Sequence, residues 1–126
     1  MRIITTTYIT RKYADEPIPK VRLCGDWLNE IGFETGSVAT AGSEPGAMTL
    51  SLQDADVEYN ALMKFVRGHK LKIIQVYKDH HKGRPCIGIT GSCVSMAGFM
   101  PGDMLAASYQ RGVIKLQKLD FDKLGF

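Results

Sequence analysis

Apolar and polar residues alternate over two short stretches, with Val21 and Leu23 flanked by Lys20 and Arg22, and Ile87 and Ile89 separated by Gly88. A period of two predicts a half-buried strand at each place. A β-rich run precedes each one, Ile3–Thr10 and Leu71–Tyr77, dense in Ile, Thr, Val and Tyr, and each run reads as one strand. A short helix is expected next, over Asp26 to Ile31, with Trp27, Leu28 and Ile31 on one face and Gly32 ending it in a left-handed cap. Its counterpart has Ser92 as N-cap, Cys93, Val94 and Ala97 as the apolar face, and Gly98 as the stop. Gly-Phe-x-x-Gly then makes a turn in which Phe33 or Phe99 plugs the core. Two hairpins follow, Val38–Ala41 with Ala47–Leu52 and Met104–Ser108 with Val113–Leu116, turning at Glu44-Pro45-Gly46 and Gln110-Arg111-Gly112.

The element order is thus written twice. A constant shift of 66 positions, without a gap, carries Pro19, Gly25, Gly32, Phe33, Gly36, Gly46 and Leu50 onto Pro85, Gly91, Gly98, Phe99, Gly102, Gly112 and Leu116. The matched residues are those where backbone geometry restricts the choice, glycine above all. Between the copies, residues 53–70 carry Val57, Leu62, Met63, Phe65 and Val66 on a polar background, with acids early and bases late, which predicts a connecting helix. A unit this small buries too little surface alone. The expected organisation is therefore one pseudo-symmetric domain over 1–126, with repeat one at 3–52, the helix at 53–70 and repeat two at 71–119. The fold class is mainly β with short helices, α+β.

Composition is ordinary for a folded protein, with 44% hydrophobic and 23% charged residues, so disorder is not expected. No apolar run is long enough for a membrane span, and the first residues do not read as a signal peptide. Cys24, Cys86 and Cys93 are odd in number and form no C-x-x-C pair, which predicts reduced thiols and a cytoplasmic address. With His69, His80 and His81 they match no usual zinc spacing, so no metal is expected.

Net charge is only +3, but the charges are segregated. Residues 23–63 hold seven acids and no Lys or Arg, whereas residues 64–84 hold seven bases against Asp79 alone. Such blocks point to an interaction surface more than the total does.

The run Ile18-Pro19-Lys20-Val21-Arg22-Leu23-Cys24-Gly25-Asp26-Trp27-Leu28-Asn29-Glu30-Ile31-Gly32-Phe33-Glu34-Thr35-Gly36, with Thr7-Tyr8-Ile9-Thr10-Arg11-Lys12-Tyr13 before it, resembles the SymE family of toxin-like proteins, over roughly residues 4–52. Residues 72–119, through Gly98-Phe99-Met100-Pro101-Gly102-Asp103, resemble the helix-turn-strand signature of the related AbrB and MazE proteins. The resemblance implies an AbrB-like swapped-hairpin β-barrel, formed here as an intramolecular pseudo-dimer of two βαββ repeats. It also implies nucleic-acid association in a toxin–antitoxin or mobile-element setting: SymE-like proteins act on RNA, and AbrB relatives bind DNA as regulators or antitoxins. Two departures stand out. Cys93 replaces Trp27, and Gly88 stands where the first copy has Arg22.

Phosphate contacts are accordingly expected from Arg11 and Lys12, from Lys20 and Arg22, and from Lys78, Lys82 and Arg84, with Tyr13 and Tyr77 available to stack on bases. If the halves pack about a twofold, the two basic loops fall on one side of the body. Against this, loops rich in Lys and Arg commonly serve solubility alone. For RNA cleavage, His80 and His81 are the candidates for proton transfer. They are weakened by the absence of histidine from the first copy. Trp27, Phe33 and Phe99 read as packing residues, and the acidic stretch as a solvated face. No phosphate-binding Gly-rich loop, H-E-x-x-H helix or G-x-S-x-G elbow occurs, so no cofactor is expected. The partners expected are nucleic acid, either RNA or DNA, and an antitoxin or other protein. No membrane is involved, and the chain is a monomer or homodimer. The alternatives are a DNA-binding AbrB-like regulator or antitoxin, and a protein-binding dimerisation module without catalysis.

Overall fold

The alternation at Val21/Leu23 and Ile87/Ile89 becomes two paired strands whose four apolar side chains are wholly buried. The computed structural model describes residues 2–12 and 15–119. In chain order the elements are β1 (Arg2–Thr5), β2 (Thr7–Ile9), β3 (Ile18–Cys24), α1 (Trp27–Glu30), β4 (Val38–Glu44), β5 (Ala47–Leu52), α2 (Tyr59–His69), β6 (Lys72–Gln75), β7 (Tyr77–Lys78), β8 (Pro85–Thr90), α3 (Ser92–Met96), β9 (Met104–Gln110) and β10 (Val113–Lys118). The protein is mostly β with a few short helices. The strands form a six-stranded sheet, β1-β9-β10-β5-β4-β6, and a four-stranded sheet, β2-β3-β8-β7. Every pairing is antiparallel.

Exchanging β1 to β5 with β6 to β10 reproduces both strand orders, read backwards. Where β3 meets β8, Arg22 faces Gly88, and where β5 meets β10, Thr49 faces Lys115; each residue pairs with the one that the shift of 66 carries it to. Backbone hydrogen bonds follow the same rule. Gly46 N–H donates to the Ala97 carbonyl at 2.9 Å, and Gly112 N–H to that of Ile31 at 2.8 Å. The hairpins turn on these two glycines, at φ +79° and +80°, where a Cβ would be strained.

Each opening run is two strands, not one. Thr6 and Val76 interrupt them, both almost fully buried. The reason lies in the backbone: Thr6 N–H donates to the Asp103 carbonyl and the Thr6 carbonyl accepts from Gly102 N–H, both at 2.8 Å, and Val76 does likewise with Ser37 at 2.9 Å and Gly36 at 2.8 Å. The turn after each helix thus captures one residue of the opposite opening run, and the chain passes from one sheet to the other there.

Three further expectations are corrected. Ser92 is the first helical residue rather than the N-cap; Gly91, at φ +85°, holds that place and no side chain caps α3. The connecting helix is shorter, since Glu58 caps it with its carboxylate, accepting from the N–H groups of Asn60 and Ala61 at 3.1 Å each. Cys24 and Cys86 are not free thiols: they face each other across β3 and β8 and form a disulfide. The cysteine count therefore no longer speaks to compartment. Cys93 is free and half-buried.

The core fills the space between the sheets, with Phe33 and Phe99 fully buried beside Leu28, Leu50, Ile114 and Leu116. Deleting either ring would cost about 3–5 kcal/mol. Trp27 is 5% exposed, donates from Nε1 to the Cys24 carbonyl at 3.2 Å and lies 4.8 Å from the Tyr109 ring. The Arg2 guanidinium sits 4.9 Å from its centroid, so β1 and β9 both close over it.

Alkylation of the unfolded, unreduced protein should modify one thiol, Cys93, and after reduction all three. Three modified thiols before reduction would rule the bridge out. In the chain-entropy model, breaking a link across this separation lowers stability by about 4 kcal/mol, readable as a lower urea midpoint.

Candidate nucleic-acid interface

Because Val21, Leu23, Ile87 and Ile89 point into the core, their neighbours must point outward. Register then pairs Lys20 with Thr90, Arg22 with Gly88 and Cys24 with Cys86 along the outer side of the four-stranded sheet. Tyr77 faces Cys86 and projects on the same side. Arg22 is exposed; its Nε–H donates to Tyr77 Oη at 3.4 Å, and Nη2 lies 3.9 Å from Cys86 Sγ. That bond to the phenol oxygen is the main cause of a raised Arg22 pKa, so the guanidinium keeps its charge. At the far end of β8, Lys72 Nζ donates to the Thr90 carbonyl at 2.9 Å.

Gly88 is the bare point of this face. A Cβ there would stand 3.6 Å from Tyr77 Cε1 and 3.7 Å from Lys20 Cε, so both side chains lean over its backbone. Two arginines facing each other at the Arg22 position would repel, and glycine removes that conflict.

The basic loops do not gather on one side. β3 and β8 run antiparallel, so the loop entering β3, with Arg11 and Lys12, and the loop entering β8, Asp79–Arg84, leave opposite ends of the sheet, about 20 Å apart by strand rise. Arg11 and Lys12 are exposed, and Tyr13 lies outside the described residues.

The second loop is built around Asp79, whose residue is 6% exposed. Its Oδ1 accepts from His81 N–H at 2.8 Å, its Oδ2 from Arg84 Nη2 at 3.1 Å, and its own N–H donates to the Arg84 carbonyl at 2.8 Å. The His81 N–H first, then Arg84, lower the Asp79 pKa from 3.8 to about 2 against the opposing effect of burial. Arg84 therefore spends its charge inside the loop. Lys78 projects away from the Tyr77 side and folds over the turn, with Cε 3.3 Å from where a Gly83 Cβ would be. Lys82, His80 and His81 are exposed, and among the described residues neither imidazole has a hydrogen bond or ion pair. Of the expected contacts, the structure brings together Lys20, Arg22 and Tyr77. Lys72, on β6, was not among the expected contacts.

Among the described residues no group of three or more His, Cys, Asp or Glu is placed to hold a metal ion, and no helix is long and apolar enough to cross a membrane.

These features define a small, mostly β protein with a cationic, tyrosine-bearing sheet face. No family model matches the chain, and no solved structure does. Curated relatives do. It is 30% identical over 84 residues to Endoribonuclease SymE of Salmonella paratyphi C, covering 62% of this chain and 76% of that protein. The proteins of the same name from Escherichia coli and Shigella flexneri are 33% identical over 66 residues, covering 52% of this chain and 58% of each of theirs. The chain belongs to the SymE family. It spans a little over half the length of the Escherichia coli and Shigella relatives.

The depressed Asp79 pKa sets a pH window. The loop's order should be intact above about pH 4 and lost as pH falls through about 2, because the folded value lies below 3.8. The His81 and Gly83 amide shifts should report this midpoint. In Asp79→Ala the same amides should exchange quickly even at neutral pH while the β3 and β8 amides stay protected.

Proposed function

We propose that this protein is a nucleic-acid-binding SymE-like protein of a toxin–antitoxin or mobile-element kind, with RNA as its ligand. The observation that carries the reading is the pairing of β3 with β8, which sets Lys20 and Arg22 on one outward face, with Arg11 and Lys12 beyond one end and Lys82 beyond the other. A phosphate backbone running along that face meets cations over about 20 Å, and counterion release supplies affinity. The name Endoribonuclease borne by the relatives supports the same reading.

On this reading the body is one pseudo-symmetric domain of two tandem copies, an intramolecular version of the swapped-hairpin arrangement of AbrB-type proteins. Its support is the palindromic strand order and the placing of β1 beside β9 and β6 beside β4, so that each copy's first strand joins the other copy's hairpin. Because one chain supplies both halves, a monomer suffices.

RNA cleavage is the second reading, favoured by the relatives' name alone. Exposed His80 and His81 are its candidates for proton transfer, and Asp79 orients the His81 backbone rather than its ring. Equal cleavage of unstructured RNA by the native chain and by His80→Ala/His81→Ala would remove them from any mechanism.

Binding should weaken steeply with salt. Lys20→Gln and Arg22→Gln should each lower the steepness of log K against log salt by about one unit. No binding at low salt, or unchanged slopes in both variants, would sink the proposal.

A further inference from the structure

Tyr77 does not stand off the sheet as strand side chains ordinarily do. It belongs to β7, yet its hydroxyl meets Arg22 on β3, and β8 lies between them. The phenol therefore reaches across β8, and the residue beneath it is Gly88. The Tyr77 residue remains 40% exposed. Arg22 borders the hydroxyl end, and the Lys20 stem lies alongside, over the same glycine.

From this we infer that the Tyr77–Gly88–Arg22 cluster is a seat for one unpaired base, which makes single-stranded nucleic acid the ligand of this face. The inference rests on the nucleic-acid reading above and adds the strand form. A base laid on the tyrosine places its own phosphates beside the Arg22 guanidinium and the Lys20 ammonium, so stacking and charge act on the same nucleotide. In a duplex the bases are stacked on one another and unavailable to the ring. A double strand meets only the cations. The Arg22 hydrogen bond keeps the ring down along the sheet, and glycine at 88 gives it room. Alanine there fits at ordinary contact distance, whereas a larger side chain must lift the ring.

The test is anisotropy titration of a labelled, unstructured RNA of about 12 nucleotides and of a duplex of the same length. Tyr77→Ala should weaken single-strand binding roughly 5- to 150-fold and change duplex binding less than about twofold. Tyr77→Phe, which keeps the ring but not its bond to Arg22, should lose less single-strand affinity than Tyr77→Ala, and Gly88→Val should reproduce the alanine loss with every cation kept. Circular dichroism and a thermal midpoint on each variant separate misfolding from loss of the seat. Equal losses on both strand forms, or none on either in a folded Tyr77→Ala protein, overturn the base seat. If Lys20→Gln and Arg22→Gln still weaken both forms in that case, the electrostatic reading survives alone. If the native chain shows no salt-sensitive binding to either form, both readings fall.

Discussion

The antiparallel pairing of β3 with β8 is the constraint on which the rest depends. Arg22 faces Gly88 at its centre, and everything the candidate site offers is referred to that point. Inward, the pairing buries Val21, Leu23, Ile87 and Ile89, each side chain contributing about 1.5–3 kcal/mol. Outward, it lines up Lys20 and Arg22 and leaves β8 bare under Tyr77. A slip of one residue would turn the cations into the core and the aliphatic residues out, a loss on both faces that pins the register.

The same pairing shows where the two halves of the chain, matched by a shift of 66 positions, share residues and where they differ. The positions that keep their identity govern backbone shape or core packing: Phe33 and Phe99 are both wholly buried, and Gly46 and Gly112 turn equivalent hairpins. On the outward face of β3 and β8 the matched residues differ in chemistry. Lys20 with Thr90 and Cys24 with Cys86 exchange places under the shift of 66 positions, but one presents a cation and the other a disulfide. One end of the face is therefore charged, with Lys72 adding to it at the Thr90 carbonyl, and the other is tied covalently.

Much of this was legible in the sequence because it depends on local rules. Period-two alternation, a glycine after each short helix and the 66-residue shift all follow from backbone geometry, and β3, β8, α1 and both hairpins stand where those rules put them. The breaks at Thr6 and Val76 were not legible, since each depends on a turn about a hundred or forty residues away in the chain capturing a peptide group. The disulfide was hidden for the same reason: C-x-x-C logic looks along the chain, whereas Cys24 and Cys86 meet across it. Gly88 did leave a trace, as the position that the shift of 66 matches to Arg22. Its meaning required knowing that the two positions face each other.

Charge shows most clearly how sequence clustering differs from clustering in space. Residues 64–84 carry the densest run of bases, yet α2 takes Lys64 and Arg67, Arg84 is paired within its loop, and Lys78 lies over Gly83. Lys72 is the member of that run anchored at the end of β8. The outward face instead owes its central cations to β3, from a stretch that composition alone does not mark as unusual. A charged side chain acts through its distance to the ligand and the partners that already neutralise it, not through its neighbours in sequence. On that measure Arg22 counts for more than Arg84: its hydrogen-bond partner is a tyrosine hydroxyl, whereas Arg84 is ion-paired with the Asp79 carboxylate.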